Sequence, residues 1–184
     1  MDLHFNFTKD ATRASIVKQL EAKLSPAQIS AVDATVANAG VPDWHHHDIV
    51  EVNATIDALD VPERVRADMR GIYDILAHAE AQVHGCEVEH THFHEVGNGA
   101  GIKNTLRICL LVSTINPTRI TATPVQTGSG QVECAHGLMD IPAPATAAII
   151  ATGIPTCDCR GEGELCTPTS AAIIKHFVNE FRTF

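Results

Sequence analysis

The sequence predicts a mixed α/β protein, with helices packed on a small sheet whose strand order stays open. Three observations point there. Several segments repeat apolar residues at three- and four-residue steps, as amphipathic helices do. Short apolar runs bounded by glycine and proline read as strands. The core must be mostly aliphatic, because 45% of the 184 residues are hydrophobic and only 4% aromatic.

The elements follow in order. Residues 1–7 alternate apolar and polar and read as a short edge strand. Ile16, Val17, Leu20 and Leu24 sit at helical spacing. Ser25-Pro26-Ala27-Gln28 starts a second helix, with Ser as cap, Pro in the first turn and Gln three residues on. Ile29, Val32, Val36 and Ala39 give it an apolar face, Gly40 ends it, and the two helices are expected to form a hairpin. Residues 41–48, with Pro42, Trp44 and His45-His46-His47, read as a loop or strand lead-in. Asp60-Val61-Pro62-Glu63 opens the longest helix, striped by Val65, Met69, Ile72, Leu76, Ala79 and Val83 and closed by Gly85. His78 falls opposite that stripe and His84 on its flank.

A glycine-rich turn, residues 98–101, leads into a helix with Ile102, Leu106, Cys109 and Leu110 on one face, stopped by Asn116-Pro117. Residues 119–125 read as a strand and 126–130 as a loop, with another short strand around Val132. Pro142-Ala143-Pro144-Ala145-Thr146 precedes a short helix that Gly153 terminates. The last helix begins at Thr167-Pro168 and runs through Ile173, Ile174, Phe177 and Phe181. The organisation expected is an N-terminal helical segment with a histidine-rich loop over 1–60 and an α/β core over 61–184, with one single domain as the alternative.

The charge balance of 13 Lys and Arg against 22 Asp and Glu, net −9, argues against nucleic acid or an anionic membrane as partner. There is no secretory signal pattern and no apolar run long enough to span a bilayer, so a cytoplasmic setting is expected. There the six cysteines stay reduced, and each is by default a small buried hydrophobe.

Histidine carries the chemistry. Eight of the eleven fall in two clusters: His45, His46 and His47, then His78, His84, His90, His92 and His94. Imidazole suits nickel, zinc and cobalt. His90, His92 and His94 are spaced by two, so on a strand they share a face, and Glu95 or a more distant group can complete a metal shell. The plain alternative is one surface histidine and one satisfied core histidine. The tract with His45 and His47 either gathers metal or is an incidental solvated loop. Cys134 and His136 pair a thiol with an imidazole, suited to nickel or zinc, to a nucleophile with its base, or simply to a buried Cys. Cys157-Asp158-Cys159 is tighter than zinc-finger spacing and stands as a possible soft-metal contact.

Two segments suit an anion. Gly128-Ser129-Gly130 can present backbone N–H groups, although turns need glycine anyway. Glu164, Thr167 and Thr169 surround a Thr-Pro helix start, where an anion can sit; simple capping by Thr167 is the alternative. The catalytic residues are unknown at this level.

In chain order, these strings resemble one family. They are Ala79-Glu80-Ala81-Gln82-Val83-His84-Gly85, His92-Phe93-His94-Glu95-Val96-Gly97, Gly128-Ser129-Gly130, Cys134-Ala135-His136-Gly137, Pro142-Ala143-Pro144-Ala145-Thr146 and Gly163-Glu164-Leu165-Cys166-Thr167-Pro168-Thr169. The resemblance is to the nickel-insertion proteins that complete the nickel-pincer nucleotide cofactor of lactate racemase, the LarC family, and covers roughly residues 62–182. It implies a protein that donates nickel to a pyridinium-3,5-bisthiocarboxylic acid mononucleotide, forming nickel–sulfur bonds and a nickel–carbon bond. His92, His94, Glu95, Cys134 and His136 are the ligand positions it implies. Full-length members couple insertion to CTP with manganese or magnesium. A homo-oligomer and a separate C-terminal CTP-binding subunit are the partners implied.

The chain departs from the family pattern in places. The opening residues have no glycine turn, and Ala100 and Asn104 replace aspartates, with Lys103 between them. Losing two carboxylates and gaining a cation weakens a hard-metal site there. A non-catalytic nickel-binding or structural paralogue is therefore the second reading. An unrelated metal-dependent hydrolase, with a histidine-bound metal activating water, is the third.

Overall fold

The computed structural model describes residues 1–93, 97–134 and 137–182. In chain order the elements are β1 (Asp2–Phe5), α1 (Arg13–Glu21), α2 (Pro26–Asn38), α3 (Ile49–Ala58), α4 (Glu63–His84), a 3-10 turn (Val88–His90), α5 (Gly99–Ile115), β2 (Arg119–Ala122), β3 (Gly128–Ser129), β4 (Gln131–Cys134), β5 (Gly137–Asp140), α6 (Pro144–Ile150), β6 (Gly163–Glu164), α7 (Pro168–Phe177) and β7 (Glu180–Phe181). The mixed α/β expectation holds. Two compact units form, one from Met1–Ile16 with Pro117–Phe184 and the other from Val17–Asn116.

The second unit is helical. In α4, Val65, Met69, Ile72, Tyr73 and Leu76 are buried, and α3 and α5 pack along this helix. Each such side chain removed from water stabilises by about 1.5–3 kcal/mol. Gly85 ends α4 in the left-handed conformation, as the sequence predicts. The capping box at Ser25 and Gln28 is present. The expected helix hairpin is replaced by a different contact: α2 packs on α5, and Arg107 of α5 reaches Asp33 of α2 and Glu21 of α1, both at 2.7 Å. Sequence periodicity sees which face is apolar, but not which helix covers it. One helix, α3, goes beyond the sequence reading. Asp48 caps it by accepting the Glu51 N–H at 2.9 Å, and Ile49, Val52 and Ile56 are buried.

In the first unit, β1, β2 and β7 form a parallel sheet in the order β1-β2-β7, with Leu3 opposite Ile120. As expected, β1 is an edge, with Leu3 and Phe5 buried. Several strand expectations need correction. The regular strand β2 stops at Ala122, and Val125 keeps one parallel bridge to Thr156. Gly128-Ser129 is not loop but a short strand paired with Gly163-Glu164. The last helix stops at Phe177, and Phe181 lies in β7. Each segment is too short for a period to show, and only its pairing partner defines it. Among the described residues, no helix is long and apolar enough to cross a membrane.

Candidate metal centre

His45, His46 and His47 do not behave alike. His46 is fully buried. Its Nδ1 lies 3.0 Å from the Gly97 carbonyl, which can only accept, so Nδ1–H donates. Its Nε2 then accepts from the Thr55 hydroxyl at 2.7 Å. Both ring nitrogens are used, so His46 is a structural residue.

His45 and His47 are arranged otherwise. His45 Nε2–H donates to the Phe93 carbonyl at 2.7 Å, which puts the lone pair of the neutral ring on Nδ1. His47 Nδ1–H points to Glu51 Oε2 at 3.3 Å, which leaves the lone pair on Nε2. The two rings meet edge-to-face with centroids 5.2 Å apart. An imidazole that donates one N–H to a carbonyl or carboxylate and keeps its other nitrogen is the usual arrangement of a metal-ligating histidine. Glu51 also accepts the His47 backbone N–H at 2.7 Å, and that bond holds its carboxyl below the usual carboxylate range.

The triplet is joined by backbone to the Phe93–Gly97 region. The Phe93 N–H donates to the His47 carbonyl at 2.7 Å, and the His46 N–H donates to the Gly97 carbonyl at 2.8 Å. A Cβ on Gly97 would overlap the His46 carbonyl oxygen, so only glycine permits this approach. Phe93 is buried against Tyr73, ring centroids 6.0 Å apart. Next in the chain, Asn98 caps α5 by accepting the Gly101 N–H at 2.6 Å. The cation that departs from the family pattern, Lys103, pairs with Asp43 at 2.7 Å and lowers the Asp43 pKa.

Among the described residues, the strand expected to carry His90, His92 and His94 on one face is not formed at His90 or His92. His90 belongs to a 3-10 turn, and β-pairing is absent from residues 91–93. His92 is exposed, between buried Thr91 and Phe93. His94, Glu95 and His136 lie outside the described residues, and for Cys134 the backbone alone is described, paired with Gly137 in the β4–β5 hairpin. Among the described residues, no group of three or more His, Cys, Asp or Glu is gathered closely enough to hold a metal. What is gathered is the pair His45 and His47, with Glu51 behind it. The sequence reading missed Glu51, whose signal was its place four residues after His47, the reach of one helical turn.

Gly128, Ser129, Gly130, Glu164, Thr167 and Thr169 belong to the first unit. Several of their polar groups already have partners. The Gly128 N–H donates to Gln126 Oε1 at 3.0 Å, and the Ser129 hydroxyl to the Gly161 carbonyl at 2.8 Å. Thr167 caps α7, accepting the Ser170 N–H at 3.2 Å. Buried Gln126 organises this corner: its amide also donates to the Cys159 carbonyl at 2.9 Å, and Oε1 accepts the Gly161 N–H at 3.1 Å. Burial pushes the Cys166 thiol up to about 12 and raises Cys109 as well, so neither serves as a thiolate near neutral pH.

Comparison with known proteins identifies relatives named for nickel insertion. A protein named pyridinium-3,5-bisthiocarboxylic acid mononucleotide nickel insertion protein in Staphylococcus saprophyticus is 40% identical over 131 residues, covering 71% of this chain and 33% of that protein. The protein of the same name in Staphylococcus epidermidis is 37% identical over 154 residues, 83% of this chain and 39% of its own length. Its counterpart in Desulfitobacterium hafniense is 36% identical over 139 residues, 76% of this chain and 34% of its own. The chain thus spans between a third and two fifths of these relatives' length. No solved structure matches it significantly. The nickel insertion protein family matches residues 4–184, and this chain belongs to that family.

Proposed function

We propose that the chain carries nickel and delivers it to a pyridinium-3,5-bisthiocarboxylic acid mononucleotide, the substrate in its relatives' names. One observation carries this reading: His45 and His47 each donate one ring N–H to a fixed oxygen and keep the other nitrogen for a ligand. Nickel is cargo here. Neutral imidazoles hold it firmly enough to collect it, and the softer sulfurs of two thiocarboxylates can take it from them. His94 and Glu95 follow Phe93 directly in the chain, and with His90, His92, Cys134 and His136 they are the further ligands of this proposal.

Gly128, Ser129, Gly130, Glu164, Thr167 and Thr169 remain the proposed nucleotide contacts. The lyase-type insertion step, the destination in lactate racemase maturation, a homo-oligomer and a cytoplasmic setting belong to the same proposal. A hard manganese or magnesium ion does not fit the start of α5: Ala100, Lys103 and Asn104 supply no carboxylate, and Lys103 is an ammonium paired with Asp43. No step through CTP is therefore assigned to those residues, and a separate CTP-binding subunit is the proposed partner.

Calorimetric nickel titration tests the reading. His45→Ala and His47→Ala are each expected to weaken nickel binding at least tenfold. Unchanged affinity in both variants would remove this centre. Cofactor formation from the metal-free nucleotide, with and without CTP and a candidate partner chain, then separates an inserting protein from a nickel-binding paralogue.

A further inference from the structure

Trp44 is the single tryptophan of the chain, and 65% of it is exposed. Its indole lies beside the buried His46 ring, centroids 6.0 Å apart and tilted by 34°. The ring borders a groove of about 680 Å³ lined by Pro42, Trp44, His45, His47, Glu51 and Ala58, among others. That volume is within the range of small-molecule sites, about 300–1,000 Å³. An exposed indole at the edge of such a groove offers a flat aromatic face to a ligand that enters it. Here it lies next to the two imidazoles that keep a nitrogen for metal.

We propose that Trp44 is the platform on which the pyridinium ring of the substrate stacks, presenting the ring's thiocarboxylate sulfurs to nickel on His45 and His47. This rests on the nickel-delivery reading and adds the place where the nucleotide's ring binds. A pyridinium ring is flat and permanently cationic. Indole has the most electron-rich face of the protein aromatics and attracts such a cation best. Glu51 lines the same groove, and accepting the His47 backbone N–H at 2.7 Å fixes its carboxyl group at that wall. The neighbouring His46 ring is fixed, because both of its ring nitrogens are bonded.

With one tryptophan in the chain, fluorescence reports on this groove alone. Titrating the bisthiocarboxylated pyridinium mononucleotide into the 184-residue chain should quench emission saturably, with an indole–pyridinium charge-transfer absorption band. Ribose 5-phosphate, which lacks the ring, should do neither. By calorimetry, Trp44→Leu should weaken nucleotide binding roughly tenfold, while Trp44→Phe, which keeps an aromatic face, should stay within about threefold of the parent. Equal affinity in the parent and Trp44→Leu overturns the proposal, as does the absence of saturable quenching with and without nickel. Equal loss in Trp44→Phe and Trp44→Leu also overturns it, because an aromatic face is then not what binds. If stacking holds but the parent chain takes up no nickel, the delivery reading fails and the ring site stands.

Discussion

His46 and Gly97 share one carbonyl: the Gly97 oxygen accepts the His46 backbone N–H at 2.8 Å and the His46 Nδ1–H at 3.0 Å. These two hydrogen bonds, one from main chain and one from the ring, tie the histidine triplet to the residue that closes the His-Phe-His-Glu-Val-Gly string. They also set His46, bonded at both ring nitrogens, apart from His45 and His47, each bonded at one.

Gly97→Ala should disrupt that junction. The added Cβ meets the His46 carbonyl, which is backbone and cannot swing aside. A loss of at least about 2 kcal/mol is expected, lowering Tm by roughly 4 °C or more, with nickel affinity falling in parallel. Differential scanning calorimetry checks the first and nickel titration the second. An unchanged Tm would show that the approach is not tight.

Within the triplet, stability and metal binding should separate. His46→Ala removes the ring bond to the Gly97 carbonyl, leaves the Thr55 hydroxyl without its acceptor and opens a cavity, so it should cost about 2–4 kcal/mol. His45→Ala and His47→Ala lose at most one ring hydrogen bond each, about 1 kcal/mol, and act mainly on nickel. Urea unfolding of the three variants beside their nickel isotherms measures the contrast. Equal destabilisation by all three would contradict it.

The thiols should divide by burial. Cys166 and Cys109 are buried with raised pKa values, whereas Cys86 and Cys159 are exposed. Iodoacetamide at pH 8 should label Cys86 and Cys159 in the native chain and reach Cys166 and Cys109 after denaturation; peptide mass spectrometry reads the pattern. The linkage has a definite sign. The folded Cys166 thiol holds its proton up to about 12, above the unfolded value of 9.0. Its contribution is therefore complete below pH 9.0 and is lost as pH rises toward 12. Alkaline unfolding should be milder in Cys166→Ala than in the parent, when each is compared with its own stability at pH 8.

Gln126→Leu should loosen the corner that holds residues 157–161. The carboxamide bonds Gly128, Cys159 and Gly161 from a buried position, and leucine, which has no polar atom, strands those backbone partners. A loss of about 2–4 kcal/mol is expected, with faster proteolysis in that segment. Limited trypsin digestion, cutting at Arg160, follows it directly.

Legibility in the sequence was uneven, for physical reasons. The long helices α4 and α5 were readable because an apolar stripe and its caps are local features. So was the Ser25 capping box. The short strands were not: β3 and β6 have two residues each and exist only through each other. The strand expected to carry His90, His92 and His94 is not formed at His90, because residues 88–90 close a 3-10 turn, a backbone choice that alternation of side chains does not encode; His94 lies outside the described residues.

By itself, the sequence determined that this is a mixed α/β chain rich in imidazole, and its motif order determined its family. Those properties are written in residue types and spacing, which need no partner to be read. Tertiary structure decided how the histidines of the triplet differ. His45, His46 and His47 are chemically identical, and what separates them is a carbonyl from Phe93, a carbonyl from Gly97 and a carboxylate from Glu51. Two of those partners lie about fifty residues away, so only folding brings them to the rings and sets which nitrogen keeps its lone pair.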